Sequence, residues 1–557
     1  VDPLLVFHTV RHLRASQIAA RLRRMLLRPS VRFRSGASWT LRAPGAGVPP
    51  AAPPPDRCDG EVFDLLHQPR RLSGPDRWQP PGVSPLWAYH LHYFQYLDAV
   101  PQRRAVELML DWITANPVGS TPGWDPYPIS LRLRVWLEWL ASHAADLPPD
   151  TRSRLLESLG WQTEYLRQSL EFHAQANHLW ENAVSLTWAG LRLAGPSADR
   201  WLDTGYRLLR RVLAEQLLGD GLHEERSPAY HAGLCHGVLR LARVARVVGG
   251  SVAAAVADLC DDAAGRMLAA LDHLTHPDGR VALLNDCGLD WAPTWEQLNS
   301  YAGCDAPRRR ERGPRDGAGS QDGTWWLPDA GYYGWRREGM YLVFDAGPIG
   351  PDHQPAHGHA DALSFELSLR GHRLVTDTGV STYNAVDDRL YERGTAAHNT
   401  VQVNGGDQCE LWAAFRCGRR PKVTGHLRGG GADPVRMEGS AAVRTRATGS
   451  YRHRREVVVC ELGLRFRDDL QCGEGSDLTL RLHLAPGIEL RPGSGPGRVS
   501  LLRQGEHLAE VWSADLDWDA EETPYHPTFA GGQTRICLQL RTRSKGETRL
   551  VWGLDWS

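Results

Sequence analysis

The apolar pattern of this chain changes period near residue 304, and that change bounds what it can fold into. From about Ser84 to Gly303, apolar side chains recur at i, i+3 and i+4, the mark of amphipathic helices. The spacing predicts helices over Arg103–Ala115, Ser130–Ala145, Arg152–Glu171, His178–Ala194, Arg200–Leu218, Pro228–Val248 and Val252–Leu274. Pro117, Gly195-Pro196, Gly219, Gly249-Gly250 and Pro277 punctuate most of the ends. Successive helices with short loops suit a bundle, a solenoid or a toroid, and periodicity does not choose among them. Farther on, the runs Met340–Asp345, Ala362–Leu369, Leu374–Asp377, Thr400–Val403, Glu456–Cys460, Leu478–Leu484 and Arg535–Leu540 are short, β-rich and mostly alternating. Turn pairs such as Arg370-Gly371 and Asn404-Gly405 separate them, as in an antiparallel β-sandwich. An all-α half followed by an all-β half makes the cleft between them the default site.

The expected boundaries are an N-terminal extension over 1–60, a helical domain over 61–304, a linker over 305–323 and a β domain over 324–557. Within the extension, Ser16 to Leu27 is a short basic amphipathic helix. It is read as packed on the body with its arginines outward, in preference to a membrane-surface role. Arg42 to Pro55, rich in Ala, Pro and Gly, is an irregular connector, and residues 305–323 carry almost no apolar side chain. A formal charge of -1 provides no global field for nucleic acid, so local Arg or His must meet any anionic partner. The ten cysteines form no CxxC pair, which argues against a zinc ribbon or a disulfide scaffold and for buried free thiols. No run of 18 apolar residues and no signal-peptide core occurs, so a soluble chain without a transmembrane segment is expected, its compartment unassigned.

Three clusters carry chemistry. On a helix, Asn177, His178 and Glu181 share one face; for Asn177 a cap and a catalytic role weigh about evenly, and the two are compatible, since helix N-termini also bind anions. In Glu224-Glu225-Arg226-Ser227-Pro228-Ala229-Tyr230-His231, Ser227 is a good N-cap and Pro228 a good first residue. Tyr230 then falls in the first turn, where the helix dipole would ease its ionisation; taken in isolation, packing and hydrogen bonding at a helix start are the favoured explanation of such a tyrosine. In Gln354 to Glu366, strand alternation would put His357, His359 and Asp361 on one face. His359, Asp377 and His398 make an N/N/O set suited to zinc, or else a hydrogen-bonded network. Aromatic, His and Arg residues upstream suit a sugar-binding groove, although many must be core. Tyr89, His92, Trp124, Tyr127 and Arg132 are candidate substrate contacts, together with Arg393.

These clusters, in this order, resemble the heparinase II/III-like polysaccharide lyases. The resemblance rests on NHLWEN (Asn177–Asn182), ERSPAYH (Glu225–His231), HGHADALSFEL (His357–Leu367) and AHNTV (Ala397–Val401), and covers about Ser84 to Ser557. It implies an incomplete (α/α) toroid joined to an antiparallel β-sandwich, and β-elimination of a uronic-acid-containing polysaccharide such as a glycosaminoglycan. Tyr230 and His357 match the family's catalytic tyrosine and histidine. Asn177, or His178 with Glu181, matches the group that neutralises the uronate carboxyl. His359, Asp377 and His398 match a structural metal site, usually zinc. The implied partner is an acidic polysaccharide, with no nucleic acid and a homodimer left open. The competing expectations are a glycoside hydrolase using Glu181, Glu224 or Glu225 and a non-catalytic exopolysaccharide protein on the same fold. If His357 faces the sugar and His359 the metal, the chain must leave strict alternation between them, which Gly358 permits.

Overall fold

A computed structural model describes residues 2–27, 29–32, 38–303, 319–321, 323–430 and 433–556. Twelve α-helices are described: α1 (Pro3–Val10), α2 (Ala15–Leu26), α3 (Pro85–Tyr93), α4 (Gln102–Ala115), α5 (Pro126–His143), α6 (Pro149–Gln168), α7 (Ala176–Arg192), α8 (Ala198–Gln216), α9 (Pro228–Val248), α10 (Ser251–His273), α11 (Trp295–Gly303) and α12 (Asp387–Arg393). The seven helices expected from periodicity are α4 to α10, displaced at their ends by a few residues. Local chemistry sets the starts. Ser227 Oγ accepts from the Tyr230 N–H at 3.3 Å with Pro228 as the first residue of α9, and Ser84 caps α3 in the same way. Helix α7 is the hub, packing against α5, α8 and α9. Its buried residues include Leu179, Trp180, Val184 and Trp188.

The connector is an ordered strap on this helical half. Trp39 is buried, Thr40–Leu41 pairs with Leu193–Ala194, and the Val48 N–H donates to Glu138. Helix α2 departs from expectation. Gln17 is its one buried side chain, while Ile18, Leu22, Met25 and Leu26 are exposed, so its apolar side faces outward.

The second half is antiparallel β. A six-stranded sheet runs in the order 372–375, 365–369, 340–345, 332–337, 324–327, 319–321. An eight-stranded sheet includes Asp433–Thr445, Gly449–Cys460, Gly463–Gln471 and Glu547–Asp555. A four-stranded sheet holds Val401–Val403, Asp477–His483, Gln533–Arg543 and Asp519–Tyr525. Alternation is clear where one face meets solvent, as in Gly449–Cys460. Phe365, Phe466 and Trp552 stack in the sandwich core, beside the buried Arg455–Asp468 ion pair. Most of the expected linker, residues 305–318 and 322, lies outside the described residues; Gly319–Gln321 is already a strand of the first sheet. Leu222, Leu274 and Leu284 from the helical half pack with Trp325, Tyr332 and Val343 of that sheet, so a shared apolar layer joins the halves. The nine described cysteines are free thiols. No helix among the described residues is long and apolar enough to cross a membrane.

One local expectation fails. Residues 354–364 form no strand, and the strand begins only at Phe365. The backbone of this stretch bonds elsewhere: the His359 N–H donates to Asn285 Oδ1, the Ala360 N–H to the Arg393 carbonyl, and the Asp286 N–H to the His357 carbonyl. It is a loop clamped from both halves of the molecule. Gly358 is required here for close approach: a Cβ there would lie 2.1 Å from the Ile349 carbonyl oxygen.

Candidate active site

A cavity of about 1850 Å³ lies between the helical half, the strap and the 354–364 loop. Asn177, His178 and Glu181 from the start of α7, Tyr230 from the start of α9, and His357 from the loop all line it. Three stretches far apart in sequence thus converge on one space.

His357 and Tyr230 are neighbours, their ring centroids 4.3 Å apart. Tyr230 Oη lies 3.0 Å from Tyr383 Oη. Burial, then the Asp286 charge, raises the Tyr230 pKa, so the phenol is held protonated; the helix dipole does not produce the easy ionisation expected from position alone. His357 Nδ1 lies 2.7 Å from Asp286 Oδ2, and His359 Nε2 lies 2.8 Å from Asp286 Oδ1. Arg389 grips the same carboxylate with both terminal nitrogens, at 2.5 and 2.7 Å. Burial would raise the Asp286 pKa; Arg389 and the two imidazoles override it and hold the group well below the usual carboxylate range. A carboxylate on Nδ1 leaves His357 Nε2 as the ring's free nitrogen, 3.7 Å from Glu225 Oε1.

Asn177 is not the N-cap of α7. Gln175, with φ of 62°, occupies that place. The Asn177 N–H points to Glu225 Oε2 at 3.3 Å, and the residue lines the cavity. His178 Nδ1 meets Glu171 Oε1 at 2.9 Å, and Glu171 also accepts from Asn182. Burial alone would lower the His178 pKa, but the Glu171 carboxylate raises it, which favours an imidazolium at the cavity wall. Glu181 is paired with Arg134 at 2.6 Å; burial raises its pKa and Arg134 opposes the rise. Of the three carboxylates weighed for hydrolysis, only Glu181 lines the cavity.

The substrate-contact candidates divide. Tyr89 and Tyr127 line the cavity, Tyr89 donating to Asp125 at 2.8 Å. The other four are internal. His92 is fully buried between the Trp78 carbonyl and the Trp112 indole N–H, and burial lowers its pKa to about 3. Arg132 is spent on Gln162 and the carbonyls of His92 and Gly123, stacked 3.9 Å over Trp112. Trp124 donates to the Asn116 carbonyl inside the helical core. Arg393 bonds the Gly358 and Ala414 carbonyls and so holds the loop rather than meeting the cavity. Sequence reasoning missed Asp286, Arg389 and Tyr383. For Asp286 a signal exists: an Asn-Asp pair follows the apolar run Val281–Leu284, an unexpected place for an acid without a partner.

His359, Asp377 and His398 are brought together, with one donor atom from each lying within 4.8 Å of the others. His398 Nδ1 bonds Asp377 Oδ2 at 2.8 Å, and Asp286 holds His359 Nε2. The remaining nitrogens, His359 Nδ1 and His398 Nε2, are buried with no hydrogen-bond partner among the described residues. Two orphaned imidazole nitrogens beside a carboxylate could hold a metal ion. Asp361, buried and with one oxygen also unpartnered, sits near His398 and Asp377; burial raises its pKa to about 6.

The family model described as heparinase II/III N-terminus matches residues 90–303, and the one described as heparinase II/III-like, C-terminal, matches residues 320–553. Heparin-sulfate lyase of Pedobacter heparinus is 25% identical over 359 residues, covering 59% of this chain and 52% of its own. FtsZ-localized protein C of Caulobacter vibrioides is 26% identical over 377 residues, covering 64% and 56%. The chain thus spans about half the length of the curated relatives it matches. The crystal structure of heparinase III superposes with a TM-score of 0.70 at 18% identity, over 87% of this chain and 80% of that one. That likeness shows the fold to be the expected helical toroid followed by a β-sandwich.

Proposed function

The chain belongs to the heparinase II/III-like lyase superfamily, and we propose that it is a polysaccharide lyase. Its substrate would be a uronic-acid-containing polysaccharide, a glycosaminoglycan such as heparan sulfate or a related acidic polymer, and its reaction β-elimination. The observation that carries this reading is the meeting of Tyr230, His357, Asn177 and His178 at one cavity.

Each group fits one part of the reaction. The C5 proton of a uronate becomes acidic when charge on the neighbouring carboxylate is offset. Asn177 donates to that carboxylate, and the His178 imidazolium, kept charged by Glu171, supplies the positive field. Glu181, shared with Arg134, is less suited to that task. With Asp286 on its Nδ1–H, His357 presents the Nε2 lone pair as the base. His357 takes the C5 proton, the C5–H electrons form the C4=C5 bond, and the C4–O4 bond breaks. Tyr230, protonated in the resting protein, gives its proton to the departing O4. The proton on His357 then restores Tyr230, whose ring is in contact. Tyr89 and Tyr127 supply aromatic wall for the sugar rings.

Zinc is the ion proposed for His359, Asp377 and His398; when bound it would brace the loop that presents His357. The test of the reading is a panel of uronate polymers, including heparan sulfate, other glycosaminoglycans and alginate, followed by ultraviolet absorbance. Elimination produces a conjugated unsaturated uronate and hydrolysis does not. Chain cleavage without that absorbance would overturn the reading.

A further inference from the structure

We propose that α2 docks the protein on an anionic lipid surface. On a wheel of about 100° per residue, Ile18, Leu22, Met25 and Leu26 form one stripe about 100° wide. All four are exposed, Met25 and Leu26 by 82% and 80%. The opposite side of the helix faces the body, where the Gln17 side chain donates to the His353 carbonyl and Arg24 meets His173 at 2.6 Å. The stripe is therefore not the packing face. It is directed away from the protein, with Arg21 and Arg23 at its two flanks. Helix α1 adds exposed Leu4, Phe7 and Val10 beside it in sequence.

Charge selects the occupant. No Asp or Glu occurs between Asp2 and Asp56, while Arg11, Arg14, Arg21, Arg23, Arg24 and Arg32 all fall there, in a chain whose overall charge is -1. An exposed apolar stripe flanked by arginines fits an interface of acyl chains under anionic headgroups. A soluble polyanion alone would account for the arginines and leave the stripe without a use. A second copy of the chain would bring like charges together. At 12 residues α2 is too short to span a bilayer, so the docking it provides is peripheral. Arg21 also lines the cavity, so the docked helix would hold the cavity beside the headgroups.

The test is co-sedimentation of the full chain with vesicles of phosphatidylcholine containing phosphatidylglycerol, against phosphatidylcholine alone. The expected result is at least about tenfold tighter binding to the anionic vesicles, weakening as salt rises. A Leu22→Glu/Met25→Glu/Leu26→Glu variant, altered only at exposed positions and checked for an unchanged circular dichroism spectrum, should lose at least about tenfold of that binding. Three results would overturn the proposal. One is failure of the wild-type chain to sediment with anionic vesicles. Another is undiminished binding by the triple variant, which would leave only nonspecific charge. The third is a concentration-dependent dimer that the triple variant abolishes, which would give the stripe to a second copy.

Discussion

Asp286 sets the orientation of His357: its Oδ2 lies 2.7 Å from Nδ1 of the imidazole, across 71 residues of sequence. The same carboxylate holds His359 and is gripped by Arg389, so one buried acid ties the proposed base to the candidate metal site. Asp286→Asn should lower kcat for elimination by about 10²–10⁴-fold, because an amide no longer enforces the Nδ1–H tautomer. The substitution also leaves Arg389 buried and unpaired, a loss of about 3–5 kcal/mol. Asp286→Asn/Arg389→Met removes that charge and should regain stability without regaining activity. Recovery of turnover in the double variant would show that Asp286 acts only on folding.

Tyr230→Phe should abolish elimination, lowering product absorbance by at least about 10²-fold, with a thermal unfolding midpoint close to that of the wild type. Among the described residues the hydroxyl has one hydrogen-bond partner, Tyr383 at 3.0 Å, so its loss costs about 1 kcal/mol. Tyr383→Phe should be much milder, within about tenfold of wild type. Wild-type turnover by Tyr230→Phe would remove the phenol from the mechanism.

His398→Ala is the cleaner probe of the metal site, since His359 also supports Asp286. Purified wild-type protein should carry close to one zinc per chain by elemental analysis, and His398→Ala should carry much less. Loss of the ion should lower the unfolding midpoint by roughly 3 °C, for a loss of about 3 kcal/mol in a chain of this length. Equal metal content in the two proteins would exclude His398 as a ligand.

What was legible in the sequence was what is local. Helix α9 begins at Pro228 as its Ser-Pro start requires, and the change of hydrophobic period anticipates a helical region followed by a β-rich one. The site clusters were legible as residue types, because polar groups at a helix start or inside an apolar run stand out. Their partners were not. Asp286 and Arg389 reach His357 only through the fold, and residues 354–364 read as strand until their backbone bonds go to Asn285 and Arg393. His92 and Arg132 had the look of ligands for the opposite reason. Trp78, Trp112, Gln162 and Gly123 satisfy them internally, and no local pattern reports that. For α2 the amphipathic pattern was plain, but which side meets the body is decided by Gln17 and Arg24 finding partners far along the chain.

Glu224 gives the protein a pH dependence of stability independent of catalysis. It is 6% exposed, and its pKa is raised to about 7, chiefly by burial and then by Glu225. Arg14 and Arg226 oppose the rise and Glu215 adds to it. His353 lies 3.7 Å away but cannot relieve the charge at neutral pH, because burial lowers its own pKa to about 4. An acid with a raised folded-state pKa favours the folded state while protonated. That contribution is complete below the unfolded value near 4.5 and is lost as pH rises through about 7. The loss corresponds to about 3 kcal/mol at 1.36 kcal/mol per pKa unit. Glu224→Gln should therefore match the wild type at pH 4 and exceed it by up to about 3 kcal/mol at pH 8, read from urea unfolding curves at the two pH values. A stability difference that is the same at both would place the origin in packing and not in the ionisation of Glu224.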